Sequence, residues 1–314
     1  MTHHILLWTD TPDAYLDAAA PFAGRVTIDV LPVKQKPSPE QCAATTIMLA
    51  WRARAGLLPT MPALQWVQTF TAGVESWLAL PDLPTDLMLT CARGTHRNSM
   101  PENILGALFH ITKPYAAMAE AQSRHQWDRR LAVPLSGKTL GILGLGTIGQ
   151  DLARMASAIG LRVIGTKRSH DDIPGVEVFP PERTDEVLAQ SDFVVLLLPA
   201  TSQTENFIDA ARLSQMKPDA WLLNFGRGQL IKDNDLIEAV QQKRIAGAIL
   251  DVFRREPLPS DHPFWATEGI LVLPHIGGGH PDRNSAVAQL FAENLSRFLD
   301  GKPLKEVVDR AAGY

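Results

Sequence analysis

The chain has 314 residues, 30 Lys plus Arg against 34 Asp plus Glu, a hydrophobic fraction of 45% and two Cys. That length suffices for about two domains with cores of their own, and the apolar content argues against intrinsic disorder. A formal net charge of −4 without a dense Lys/Arg run offers no footprint for nucleic acid, and Cys42 and Cys91, far apart, make no disulfide framework.

Residues 5–8 form an apolar run cut by Asp10, too short for a signal segment, and no apolar stretch reaches the roughly 18 residues of a membrane span. A cytoplasmic protein with no membrane partner is expected. Cys42 and Cys91 suit a reducing compartment and read as buried small hydrophobes. Residues 5–8, 26–30, 46–50, 64–70 and 87–90 read as buried strands, with prolines in the turns between them. Ser99 and Glu102 have the spacing of a capping box, which predicts one long helix to about Ala121.

From residue 135 the texture changes. Apolar runs at 139–143, 162–165, 193–198, 221–225, 246–252 and 270–273 read as parallel strands buried on both faces, with helical segments between most of them. The repeated alternation predicts an α/β fold with a doubly wound parallel sheet. Residues 284–301 carry the apolar stripe of an amphipathic helix stopped at Gly301.

The strand 139–143 runs directly into Gly144-Leu145-Gly146-Thr147-Ile148-Gly149 and then a helix from Asp151 to Ile159. In that setting Gly144 allows a tight turn, Gly146 lets backbone approach a pyrophosphate, and Gly149 lets helix and strand pack closely. The next strand ends in Lys167-Arg168-Ser169 where a carboxylate for a ribose 2′-hydroxyl would stand. Cations and a hydroxyl there suit a 2′-phosphate, so NADP(H) is the expected cofactor, with NAD(H) second. Three later strand ends carry Arg227, Asp251 with Glu256, and His275 followed by Gly277. Strand carboxyl ends line the ligand crevice of such sheets, so these groups are expected to converge beside the cofactor. His3, His4, His96, His110 and His125 have no ligand spacing, and no metal is expected. Trp51, Trp77, Trp127, Trp221 and Trp265 read chiefly as core or interface packing.

The ordered segments Gly144–Gly149, Asn224–Gly228, Asp251–Pro259 and Pro274–Gly278 resemble those of the D-isomer-specific 2-hydroxyacid dehydrogenases. Pro199 with Thr201 and Thr204 is similar to a further segment of that family. The C-terminal residues 308–314 and the basic strand tip resemble its bacterial NADPH-dependent glyoxylate/hydroxypyruvate reductases. The resemblance implies two Rossmann-like domains, the cofactor domain (99–284) inserted in a flavodoxin-like substrate domain (1–98 and 285–314), and a homodimer. It implies that Gly73 and Val74 hold the substrate carboxylate with backbone N–H groups, although Glu75 stands where the family more often has Asp. Pro199, Thr204, Asp251 and Gly277 join the dinucleotide contacts, Asp251 on the nicotinamide amide side. Arg227 would grip a small 2-oxo acid, and His275 would protonate its carbonyl oxygen as hydride arrives. Glu256 would pair with His275 and fix its tautomer. The resembling corepressors, which use the scaffold as a dinucleotide-responsive binding protein, supply the competing reading. A formate-dehydrogenase-like oxidase would lack the Glu–His pair.

Overall fold

The computed structural model describes residues 2–169 and 171–313. They form two compact units, one of Met1–Thr95 with His280–Tyr314 and one of His96–Gly279. In the first, β1 (His3–Trp8), β2 (Val26–Leu31), β3 (Ile47–Ala50), β4 (Trp66–Thr69) and β5 (Met88–Thr90) build a parallel sheet in the order β2-β1-β3-β4-β5. Every residue of β3 and β4 is buried, because both faces are covered. Ile5, Leu7 and Trp66 pack on one side against Val287, Phe291 and Leu295 of the helix Arg283–Leu299. Leu6, Met48 and Val67 pack on the other, together with the free thiols of Cys42 and Cys91. Both cysteines are the buried small hydrophobes expected of them.

The second unit holds β6 (Thr139–Leu143), β7 (Arg162–Thr166), β8 (Val176–Phe179), β9 (Phe193–Leu196), β10 (Trp221–Asn224), β11 (Gly247–Leu250) and β12 (Ile270–Val272). All pairs are parallel and the order is β12-β11-β10-β9-β6-β7-β8. The order reverses between β6 and β9, which opens a crevice at their carboxyl ends. This is the doubly wound α/β architecture expected from the alternating runs. Among the described residues no helix is long and apolar enough to cross a membrane.

Several local expectations need correction. The long helix is two, Ser99–Thr112 and Tyr115–Ser123. Pro114 lacks an N–H and forces the preceding residue out of the helical region, and Lys113 is extended at φ −114°, ψ 130°. The capping box at Ser99 does not form. The helix starts from Asn98, itself already helical, and the Ser99 hydroxyl is buried without a hydrogen bond. A capping box does form at Ser38, whose hydroxyl accepts from the Gln41 N–H at 3.2 Å while the Gln41 side chain accepts from the Ser38 N–H at 3.0 Å. The edge strand β8 went unpredicted, since only one of its four residues is fully buried and its apolar signal is short. Of the five tryptophans named above, Trp77 is a fully buried core residue and Trp221 a partly buried one, which fits the core half of that expectation, while Trp51, Trp127 and Trp265 are exposed in the single chain.

Candidate active site

The glycine loop joins β6 to the helix Thr147–Ala158 at the switch point of the second sheet. Gly144 has φ +110°, open to glycine, and a Cβ there would stand 2.9 Å from the backbone of Leu197. A Cβ on Gly149 would stand 2.4 Å from the Gly144 carbonyl oxygen, so only glycine lets the helix sit this close. Gly146 differs: a Cβ there would meet nothing within 4 Å. The space in front of it is open, and it precedes a helix start with no side-chain cap and no acidic residue in its first turn. Unsatisfied N–H groups and the positive end of the helix dipole face that space, as a diphosphate requires. Thr147 and Ile148 begin the helix. The Leu145 N–H donates to the Thr166 carbonyl at 2.9 Å and ties the loop to the end of β7.

Lys167, Arg168 and Ser169 follow β7 directly. A single oxygen of Asp171 accepts from the Lys167 ammonium at 2.9 Å and from the Ser169 hydroxyl at 2.8 Å. A carboxylate therefore does reach this strand tip, although it stands four residues beyond Lys167. The Asp171 side chain is 72% exposed, so this contact is solvated and weak. Beyond β9, Thr204 donates to the Pro199 carbonyl at 2.6 Å and accepts from the Thr201 N–H at 2.8 Å, which closes the loop that carries both predicted residues.

Arg227 lies just past β10 between two glycines that close packing requires. A Cβ on Gly226 would stand 2.8 Å from the Leu198 carbonyl oxygen, and one on Gly228 would stand 2.0 Å from the backbone of Phe253. Asn224, 1% exposed, brackets the turn. Its side-chain oxygen accepts from the Gly226 N–H at 3.1 Å, and its amide nitrogen donates to the Arg227 carbonyl at 2.9 Å. Arg227 itself is extended, and its guanidinium donates to the Gly226 carbonyl at 2.7 Å.

Next door, His275 Nδ1 and Glu256 Oε2 lie 2.7 Å apart, and the other Glu256 oxygen accepts from the Phe253 N–H at 2.9 Å. The carboxylate is thus held at both oxygens and holds the imidazole in turn. His275 sits at φ +55°, a left-handed conformation costly for a residue with a Cβ. Asp251 supplies the restraint: its two oxygens accept from the Ile276 N–H at 2.7 Å and the Gly277 N–H at 2.8 Å. Asp251 is 1% exposed, and burial pushes its carboxyl up, with those two N–H groups and His275 acting against it. A Cβ on Gly277 would strike both Asp251 and the Phe225 ring at 2.7 Å. These glycine contacts run from one strand tip to the next. They bring Arg227, Asp251, Glu256, His275 and Gly277 onto one crest of the second unit.

In the first unit Gly73 and Val74 end the turn after β4, and among the described residues neither N–H donates to a protein group. The turn is held from behind: Thr71 donates to the Gly73 carbonyl at 2.7 Å, and the Trp77 and Leu78 N–H groups bond the Val74 carbonyl. Arg283 was invisible to motif reading. It lies 4.6 Å over the Trp51 ring and donates to the Phe70 carbonyl, and burial pushes its guanidinium down. Tyr15 is nearby, its hydroxyl pushed up by burial to about 12. Asn224 was also missed, although it could have been found as a buried amide at a strand end beside Gly-x-Gly. Asp171 stands several residues beyond the strand tip in sequence, and its contacts to Lys167 and Ser169 bring it back there.

The sequence family described as "D-isomer specific 2-hydroxyacid dehydrogenase, NAD binding domain" matches residues 105–277. The chain is 37% identical over 288 residues to a glyoxylate reductase of Thermococcus onnurineus, covering 85% of this chain and 83% of that one. Among solved structures it is similar to the NADPH-dependent glyoxylate/hydroxypyruvate reductase of Sinorhizobium meliloti in complex with NADP and sulfate, at TM-score 0.86 and 30% identity over 100% of both chains. A D-isomer specific 2-hydroxyacid dehydrogenase of Xanthobacter autotrophicus in complex with NADPH and MES superposes at TM-score 0.89 with 26% identity, again over 100% of both chains. With its dinucleotide loop and its Arg, Glu and His on adjacent strand tips, the chain belongs to the D-isomer-specific 2-hydroxyacid dehydrogenase family of NAD(P)-dependent oxidoreductases.

Proposed function

We propose that this enzyme uses NADPH to reduce a small 2-oxo acid of the glyoxylate or hydroxypyruvate type to the 2-hydroxy acid, with His275 as the general acid. The observation that carries this reading is the 2.7 Å contact between His275 and Glu256 on the crest that also carries Arg227. The substrate named for the Thermococcus relative, and the cofactor and substrates named for the Sinorhizobium one, support it.

Gly144, Gly146, Thr147, Ile148 and Gly149 would hold the diphosphate through the open space before the helix. Lys167, Arg168 and Ser169 would hold the 2′-phosphate, which makes NADPH the better cofactor and NADH the poorer. The bound dinucleotide supplies the hydride. The Arg227 guanidinium would grip the substrate carboxylate and carbonyl oxygen as a planar fork, and the Gly73 and Val74 N–H groups of the first unit are proposed as further donors to a carboxylate. His275 has Nδ1 committed to Glu256. That leaves Nε2 to give its proton to the substrate oxygen as negative charge develops there. Asp251 keeps the loop that carries His275 in its left-handed turn, and Asp251 and Gly277 would lie on the nicotinamide amide side of the bound dinucleotide.

We infer a homodimer, working in the cytoplasm. Tyr115, Trp127, Leu131 and Val133 expose apolar side chains along one short segment of the second unit, the kind of patch a second copy covers. Loss of NADPH absorbance with glyoxylate and with hydroxypyruvate tests the activity. The expected result is turnover of at least one of them, faster than with NADH. No turnover across 2-oxo acids of increasing length would favour a dinucleotide-responsive binding protein instead.

A further inference from the structure

The first unit contains a cavity of about 510 Å³ that no step above uses. It lies between the loop after β2 and the loop after β3. Trp8, Cys42 and Leu57 give it apolar walls, while Lys34, Lys36, Arg52 and Arg54 line it as well. None of its lining residues is a carboxylate. In a chain of net charge −4 that is the reverse of the average surface. Among the described residues none of these four cations has an ion pair or a side-chain hydrogen bond.

The walls are pinned before any ligand arrives. The Val33 N–H donates to Asp10 at 3.0 Å, and the Trp8 indole donates to the Pro32 carbonyl at 3.1 Å. On the opposite loop the Gly56 N–H donates to Asp82 at 2.6 Å, and the Trp77 indole donates to the Trp51 carbonyl at 3.2 Å. A cavity of this size with apolar walls suits a small organic molecule. Four like charges around one space repel each other, and an anion placed among them relieves that repulsion. A bare hydrated ion would leave the apolar walls unused.

We propose that this cavity binds a small amphiphilic anion, an apolar body carrying one carboxylate or phosphate group. The proposal shares no residue with the catalytic assignment and stands without it. Calorimetric titration of the full chain in excess NADPH, with hexanoate, phenyl phosphate and inorganic phosphate, tests it. At least one organic anion should saturate at one site per chain, and the tighter of the two identifies the head group. Inorganic phosphate should bind more weakly than phenyl phosphate. Lys34→Glu combined with Arg54→Glu should weaken the organic anion by about tenfold or more, as expected when two solvated attractions become repulsions. Both side chains are exposed, so the double variant should melt like the parent. The proposal fails if neither organic anion saturates by about 10 mM, where any affinity would be too weak for a site. It fails equally if the double variant binds as the parent does, or if inorganic phosphate matches phenyl phosphate.

Discussion

The two units share one architecture and treat their strand ends in opposite ways. Both are parallel sheets covered on both faces, with a reversal of strand order beside the first strand of each. On the second, the tips of β6, β9, β10, β11 and β12 are fastened to one another by glycines that admit no Cβ and by the buried Asp251 bonded to backbone. The ionisable groups stand on that fastened crest. The first unit offers backbone N–H groups at Gly73 and Val74 and a cation-lined cavity instead. A shared fold does not fix chemistry; what is placed on the tips does.

The sharpest test of this contrast is the proposed proton donor. His275→Asn should cut kcat by about 10²–10⁴-fold, the usual reach of a general acid, while fluorescence titration finds NADPH binding nearly unchanged. A loss below tenfold would remove His275 from that role.

The fastening itself can be broken in one unit and left alone in the other. A methyl on Gly228 would lie 2.0 Å from the Phe253 backbone, whereas one on Gly24 in the first unit would meet nothing within 4 Å. Gly228→Ala should cost about 1–3 kcal/mol of stability through overpacking, and it should lower kcat/KM because Arg227 and Glu256 shift together. Gly24→Ala should stay within about 1 kcal/mol of the parent or gain slightly, since alanine restricts the unfolded chain. Urea unfolding of both variants decides. Equal losses would mean that the crest is no more tightly built than the rest.

A smaller effect is expected at the basic tip. Asp171 occupies Lys167 and Ser169, the groups assigned to the 2′-phosphate. Asp171→Asn should tighten NADPH by up to about fivefold, the worth of one exposed ion pair, and leave NADH almost unchanged. Weaker NADPH binding in that variant would show that Asp171 arranges the site rather than competing for it.

The smallest effect depends on pH. Asp192 accepts from the Thr139 N–H at 2.7 Å and pairs with Lys217 at 3.0 Å. Burial works to raise its carboxyl, but the Thr139 N–H, Lys217 and Lys138 together hold it below its ordinary value of 3.8. A depressed carboxyl stabilises the fold above 3.8, and that stabilisation is lost as pH falls through the folded-state value. Asp192→Asn should therefore lower Tm at pH 7, with the gap to the parent closing below pH 3.8. A gap constant with pH would assign the loss to the hydrogen bond alone.

The second unit was far more legible in sequence than the first. Gly144–Gly149, Arg227, Glu256 and His275 announce themselves because each stands next to an apolar strand run, and the carboxyl end of such a run has only one place to go. Nothing comparable marks the first unit, where strands could be read but the Gly73–Val74 turn rested on resemblance. Ser99 misled because a capping box depends on the backbone angle of the cap, and Asn98 had already entered the helix.

Periodicity, prolines and glycine spacing alone determined the class of fold, the dinucleotide loop and which ionisable residues reach strand ends. These are local properties, set by side-chain burial and backbone permission within a few residues. Tertiary structure alone decided that Asn224 clasps Arg227, that Asp251 spends both oxygens on the loop after β12, and that Asp171 returns to Lys167. It also decided that the cationic side chains at 34–36 and 52–54 line one cavity. Each of these is a contact between residues whose separation or direction no local rule encodes. A hydrogen bond forms only where the folded chain brings donor and acceptor within about 3 Å.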